Sequence, residues 1–198
     1  MNLEECRTVF AASSLVLMLI AAAPTLSLVV PFPNGTERFS ELWVLGPTHT
    51  AEDYPFNISV GEPYSVSVGV GNHLGVSSYY LVYVKFRNQT QPFPNTTISL
   101  PSPLPPLYEF RAFVVDNATW ETPLTFKVLK ASRIENSTFI NYLAVNDVAF
   151  PVNASTTRDS KGKGFLYELF LELWLYNMTA QNFQFHNRFV GIWLNMTG

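Results

Sequence analysis

Short β-rich runs punctuated by proline, glycine and asparagine predict an all-β fold, an antiparallel Ig-like β-sandwich with an N-terminal apolar signal or anchor segment. Hydrophobic residues make up 47% of the 198 and aromatics 15%, enough to fill one core. The one stretch long enough to rival a strand as a helix, "FLYELFLELWLYN" from Phe165, keeps a cleaner apolar face at period two.

The chain divides into residues 1–23, 24–37 and 38–198. "VFAASSLVLMLIAAA" (Val9–Ala23) is uncharged and ends in small residues before Pro24, as a cleaved signal peptide does. Its leader carries Glu4, Glu5 and Arg7 and is not net positive. Read through to Val30, the same run is long enough for a membrane anchor. Either way the rest is expected outside the cell, with the membrane touched only by this segment. "MNLEECRT" lacks the basic leader site of a type IV pilin. Cys6, the sole cysteine, precedes the apolar run, so the mature part has no disulfide.

After cleavage the chain would begin "PTLSLVVPFPNGT" (Pro24–Thr36). Leu26, Leu28, Val30 and Phe32 alternate onto one face, and Pro31 and Pro33 end the pairing. Such an uncharged strand can fold back on its own domain, stay in lipid, or enter another molecule as an added strand. The last fate makes 24–37 a donor strand and linker.

The body from residue 38 holds the expected strands Phe39–Leu45, Phe56–Val60, Tyr64–Val70, Ser78–Phe86, Leu107–Asp116, Pro123–Leu129, Phe139–Val145, Leu166–Tyr176 and Phe189–Met196. In the Phe165 segment Tyr167, Leu169, Leu171, Leu173 and Leu175 share one face. Glu168, Phe170, Glu172, Trp174 and Tyr176 share the other, which needs partial cover. "LPSPLPPLYEF" (Leu100–Phe110) reads as a stiff crossover between sheets. "GVGNHLG" (Gly69–Gly75) reads as a hairpin turn, and "NASTTRDSKGKGF" (Asn153–Phe165) as a polar loop.

Charged residues are only 14% of the chain, against about a quarter in an average protein. The net charge of −3 argues against nucleic acid or an anionic membrane as partner. Solubility has another source. Asn-x-Ser/Thr acceptors for N-linked glycans begin at Asn34, Asn57, Asn88, Asn95, Asn117, Asn136, Asn153, Asn177 and Asn195. With 15 asparagines and 31 serines and threonines, chance would produce about two. A sugar coat hydrates the surface whatever the pH or salt.

Catalytic and cofactor signatures do not emerge, so no enzyme activity, cofactor or metal is expected. His49, His73 and His186 have no histidine partner at metal-ligand spacing, and Glu52–Asp53 lacks the oxygen-rich loop calcium requires. Trp43, Trp120, Trp174 and Trp193 are read as core aromatics before a sugar groove.

"RFSELWVLGPTHTAEDYPFNISVGEPYSVSVGVGNH" (Arg38–His73) resembles the opening of the extracellular domain in an archaeal surface-protein family known only as a domain of unknown function. The matching positions are Phe39, Glu41, Trp43, Leu45, Gly46, Tyr54, Pro55, Val60, Gly61, Glu62, Asn72 and His73. "ATWETPLTF" (Ala118–Phe126) and "VGIWLNMT" (Val190–Thr197) resemble its last strands. That family usually places several membrane helices ahead of the domain, where this chain has one apolar segment. In architecture the chain also resembles the subunit of the archaeal filaments called threads, which are secreted, glycosylated β-sandwiches. The resemblance implies head-to-tail assembly of identical subunits, each N-terminal strand completing its neighbour. The expected function is therefore an adhesive or structural filament subunit at the cell surface. The alternative is a monomeric cell-envelope glycoprotein anchored by residues 9–30.

Overall fold

Valines at 66, 68 and 70 alternate with Ser67 and Gly69, and this period of two makes a pleated ribbon with one apolar face. The same rule builds most of the chain. The computed structural model describes residues 7, 9–18, 20, 37–159 and 164–197. In the N-terminal unit the described residues up to 20 are helical, and the Ser13 and Ser14 hydroxyls donate back to the carbonyls of Val9 and Phe10. No helix among the described residues is long and apolar enough to cross a membrane.

Among its described residues the second unit contains ten strands: β1 (Phe39–Leu45), β2 (Asn57–Ile58), β3 (Pro63–His73), β4 (Ser78–Asn88), β5 (Tyr108–Val114), β6 (Thr119–Ile134), β7 (Ser137–Val145), β8 (Val148–Thr157), β9 (Leu166–Asn177) and β10 (Asn182–Met196). They form two five-stranded sheets, ordered β1-β3-β6-β7-β8 and β2-β10-β9-β4-β5. All pairings are antiparallel except the two-residue β2–β10 ladder. The β1-β3-β6 and β10-β9-β4-β5 runs share consecutive strands between sheets in the immunoglobulin manner, and β7 and β8 extend the first sheet as a meander.

The core lies between the sheets. Val68, Val70, Val128 and Leu143 from the first meet Tyr80, Val82, Leu171 and Leu173 from the second. Tyr167, Leu169, Leu171 and Leu173 enter this core as the alternation requires, with Leu175 packed against it. Residues 166–173 are nonetheless buried without interruption. The second face of β9 is covered by the segment between β4 and β5.

The observed strands and sheet order correct three readings. The proline-rich stretch does not cross between sheets, because β4 and β5 pair directly and residues 89–107 form one long connection within a sheet. It lies over Glu168, Phe170 and Glu172, with the Phe93 ring tilted 5.4 Å from Phe170 and edge-on 4.6 Å from Phe189. Gly69–His73 belong to β3, and the link to β4 passes from one sheet to the other, so "GVGNHLG" makes no hairpin. Asn153–Thr157, expected in a loop, lie in β8. Pro151 and the glycan acceptor disguised that strand, and an edge strand tolerates both.

The tryptophans depart from core packing. Only Trp120 packs against the core cluster. The Trp43 indole lies on the outer face of β3, where a Cβ at Gly69 would fall 2.1 Å from its ring. Trp174 lies on the covered outer face of β9, and Trp193 is partly exposed.

Candidate functional site

The glycan acceptors are the broadest candidate feature. None of the eight described acceptor asparagines is buried. They occur on both sheets and on turns at both ends: Asn57, Asn153 and Asn195 in strands, Asn88 and Asn177 at strand ends, Asn95, Asn117 and Asn136 in connections. Asn34 lies outside the described residues, as do the donor positions Leu26, Leu28, Val30 and Phe32.

Local chemistry explains three acceptors. At Asn88, Asn95 and Asn177 the side-chain oxygen accepts the backbone N–H of the threonine two residues on, at 2.9, 3.0 and 2.9 Å. At Asn88 the Thr90 hydroxyl donates to the same oxygen at 3.0 Å. An asparagine that bonds its own turn in this way stabilises the reversal. The amide nitrogens of Asn88 and Asn177 donate in turn to the Ser155 carbonyl at 2.7 Å and to Gln184 Oε1 at 3.0 Å. Asn57 and Asn195 differ. They face each other across the parallel ladder, and Asn195 Nδ2 donates to Asn57 Oδ1 at 2.8 Å.

Three polar clusters were not visible as motifs. Beneath the 89–107 connection, Lys85 Nζ lies 2.9 Å from Glu172 Oε2 and donates to the Ser102 carbonyl at 2.7 Å. Glu172 also accepts from the Ser102 N–H at 2.7 Å and Trp174 Nε1 at 3.2 Å. Beside it Arg87 Nε donates to Glu168 Oε2 at 2.7 Å, and its guanidinium caps the Phe93 ring at 4.2 Å. Burial pushes the Glu168 carboxyl above its ordinary range, and Arg87 only partly opposes this. These contacts fasten the connection onto the sheet.

The second cluster joins the sheets. A bulge between Phe185 and Arg188 turns His186 inward, so that Nε2 lies 3.0 Å from Ser40 Oγ. Ser40 Oγ is 2.7 Å from Tyr80 Oη, and that hydroxyl donates to Asn72 Oδ1 at 3.0 Å. Burial, with Arg188 nearby, pushes the His186 pKa down. Serine beside histidine suggests an activated nucleophile, but Ser40 is only 1% exposed, and no carboxylate orients His186 among the described residues. The cluster acts as a pin across β1, β3, β4 and β10.

The third cluster is exposed. His49 Nδ1 lies 2.5 Å from Glu121 Oε1 and 3.2 Å from Ser67 Oγ. His49 holds Glu121 below the usual carboxylate range. Acid and hydroxyl share one ring nitrogen, so the relay of a catalytic triad, which needs both nitrogens, is not formed. His73 stacks on Phe39 at 4.7 Å and lies 3.5 Å from Glu41. No group of three or more potential metal ligands occurs among the described residues. The Glu52–Asp53 pair lies in the connection from β1 to β2.

Apolar hollows flank β5. One of about 530 Å³ is lined by Leu74, Val76, Tyr79, Phe113, Tyr176 and Met178 among others. A smaller one of about 330 Å³ lies between the starts of β5 and β8, against Leu107, Tyr108, Val148 and Phe150.

No curated protein matches the chain in sequence. Among solved structures, a β-glucosidase from Listeria innocua in complex with isofagomine is similar with a TM-score of 0.42 and 8% identity. The match covers 82% of this chain and 16% of the β-glucosidase, so the chain spans under a fifth of that enzyme. The complex between Zinc 2-glycoprotein and Prolactin inducible protein from human seminal plasma is similar with a TM-score of 0.38 and 8% identity, covering 83% and 99% of the two chains. Neither likeness bears on function. Residues 33–157, well over half of the sequence, match the model of a family described as a domain of unknown function (DUF1616), and the chain belongs to that family.

Proposed function

We propose that the chain is an extracellular, N-glycosylated structural subunit that polymerises head to tail into a cell-surface filament, with Leu26–Phe32 as the donor strand. The observation that carries this reading is the placement of the acceptors. Every described one reaches solvent, and together they occupy both sheets and both ends of the domain. Sugars so distributed hydrate a body whose own charges are scarce, which suits a permanently exposed building block. The buried polar groups in turn serve to fasten strands and connections.

Donor and acceptor surfaces differ in this scheme, so the contact is heterologous and propagates as an open fibre. Each of the four apolar donor side chains would contribute about 1.5–3 kcal/mol on burial. Main-chain bonds along the added strand contribute about 1 kcal/mol each.

The experiment is electron microscopy and N-terminal sequencing of the full chain as secreted. Filaments whose subunits begin near Pro24, lost on deletion of residues 25–32, are the expected result. A membrane-bound monomer retaining Met1 would refute it and favour the anchored alternative.

A further inference from the structure

Each sheet of the sandwich ends in two edge strands, and three of the four edges are obstructed. On β1 the carbonyls of Ser40 and Val44 accept from Arg188 Nε at 3.3 Å and Tyr54 Oη at 2.9 Å. The β2 strand has two residues, one of them the acceptor Asn57. On β8, Pro151 removes a donor, Asn153 is a glycan acceptor, the register shifts between Ile140 and Tyr142, and Asn88 Nδ2 occupies the Ser155 carbonyl at 2.7 Å. Proline, bulges and side-chain caps are the usual means of denying an edge to a foreign strand.

The β5 edge carries only one such cap, at its end, where Asn72 Nδ2 donates to the Val114 carbonyl at 2.9 Å. Its pairing with β4 runs without a shift from Tyr108 to Val114. Among the described residues no side chain bonds a main-chain group between Tyr108 and Phe113. Its two charges, Glu109 and Arg111, neutralise each other at 2.9 Å. Phe113 and the following Val115 are 68% and 57% exposed. Between the starts of this edge and β8 lies the hollow of about 330 Å³, and Tyr108, Phe110, Phe150 and Val152 of the two strands are only half buried.

We infer that the β5 edge is the acceptor for an added antiparallel or parallel strand, and that its occupant is Leu26–Phe32 of a second copy. This rests on the filament reading above and specifies its unassigned half. The occupant follows from fit. Leu26–Val30 offers five residues ahead of Pro31, and β5 has seven to pair with them. The segment is uncharged, and its four alternating side chains would enter beside Tyr108 and Phe110, while Ser27 and Val29 would lie on the outer face with Glu109, Arg111 and Phe113.

The absence of cysteine beyond Cys6 makes disulfide trapping specific. Full-length Cys6→Ser protein carrying Val29→Cys is mixed with copies carrying Glu109→Cys, Arg111→Cys or Phe113→Cys, all exposed positions, or Glu41→Cys on β1 and Ala149→Cys on β8 as controls. Strand pairing holds thiols at high effective concentration, so at least one β5 position should give about tenfold more mixed dimer on a non-reducing gel than either control. Wild-type polymers with β5 yields no higher than the controls overturn the edge assignment and leave the filament reading standing. Closure within one chain, seen in Val29→Cys/Arg111→Cys as an oxidised monomer, overturns the second copy as occupant. A wild type that never polymerises overturns the filament reading, and the occupant with it.

Discussion

Removing the charge of Glu172 tests whether the 89–107 connection seals the outer face of β9. Its carboxylate is fully buried, and Lys85 opposite is 4% exposed. In Glu172→Gln the Lys85 ammonium keeps the Ser102 carbonyl at 2.7 Å but loses its counter-charge at 2.9 Å. Breaking a buried pair from one side costs about 3–5 kcal/mol, and the surviving carbonyl bond places this case near the lower figure. For a domain of this size each kcal/mol lowers the melting temperature by about 2–4 °C, so a fall of about 6–12 °C is expected. Calorimetry measures the shift, and hydrogen exchange at the Ser102 amide should accelerate. Lys85→Met/Glu172→Leu removes both desolvation penalties but leaves the Ser102 N–H, the Ser102 carbonyl and Trp174 Nε1 without these partners, so it should recover part of the loss and not all of it. A Glu172→Gln loss below about 1 kcal/mol would refute the reasoning, because the ammonium would then have to be hydrated and the connection no seal.

Glu168→Gln probes acid behaviour. The folded Glu168 carboxyl titrates above its ordinary 4.5, so its contribution to stability is fully present below that value and is lost as pH rises through the folded pKa. Denaturant titrations should therefore show wild type gaining on the variant as pH falls through that window, and a parallel pair of curves would contradict the assignment. In Gly69→Ala the new methyl group meets the Trp43 ring, and overpacking of this kind costs about 1–3 kcal/mol. Tryptophan fluorescence and chemical denaturation should report a displaced indole. Glycopeptide mass spectrometry should find Asn57 and Asn195 rarely occupied on one molecule, since their amides bond at 2.8 Å, and Asn57→Gln should raise occupancy at Asn195.

The strands were legible because one face of each is apolar: β1 has the bounds its alternation predicts, and β9 was separable from a helix by the unbroken Tyr167–Leu175 face. The strand that escaped notice, β8, is exposed on one side and carries Pro151, so its pattern resembles a loop. The 89–107 connection was misassigned because proline content reports stiffness and not destination. That the second face of β9 needs cover could be read from its composition. Which residues cover it could not, because Lys85 and Glu172 stand 87 positions apart and Arg87 and Glu168 81 apart, and only the β4–β9 register brings them together. The histidines show the same limit: the Ser40–His186 contact spans 146 positions and has no local signal. The apolar alternation of Leu26–Phe32, proposed as the donor, is a feature of the sequence alone, while the openness of β5 depends on what fails to touch it and becomes visible only in three dimensions.

Because the strap from residue 89 to 107 rests on the outside of a sheet whose inner face is packed independently, the domain has two layers that can fail separately. Thermal or proteolytic attack should lift the strap first, baring Phe170 and two carboxylates while the ten-stranded frame stays intact. A chain cut there would keep its two sheets, nicked but still folded.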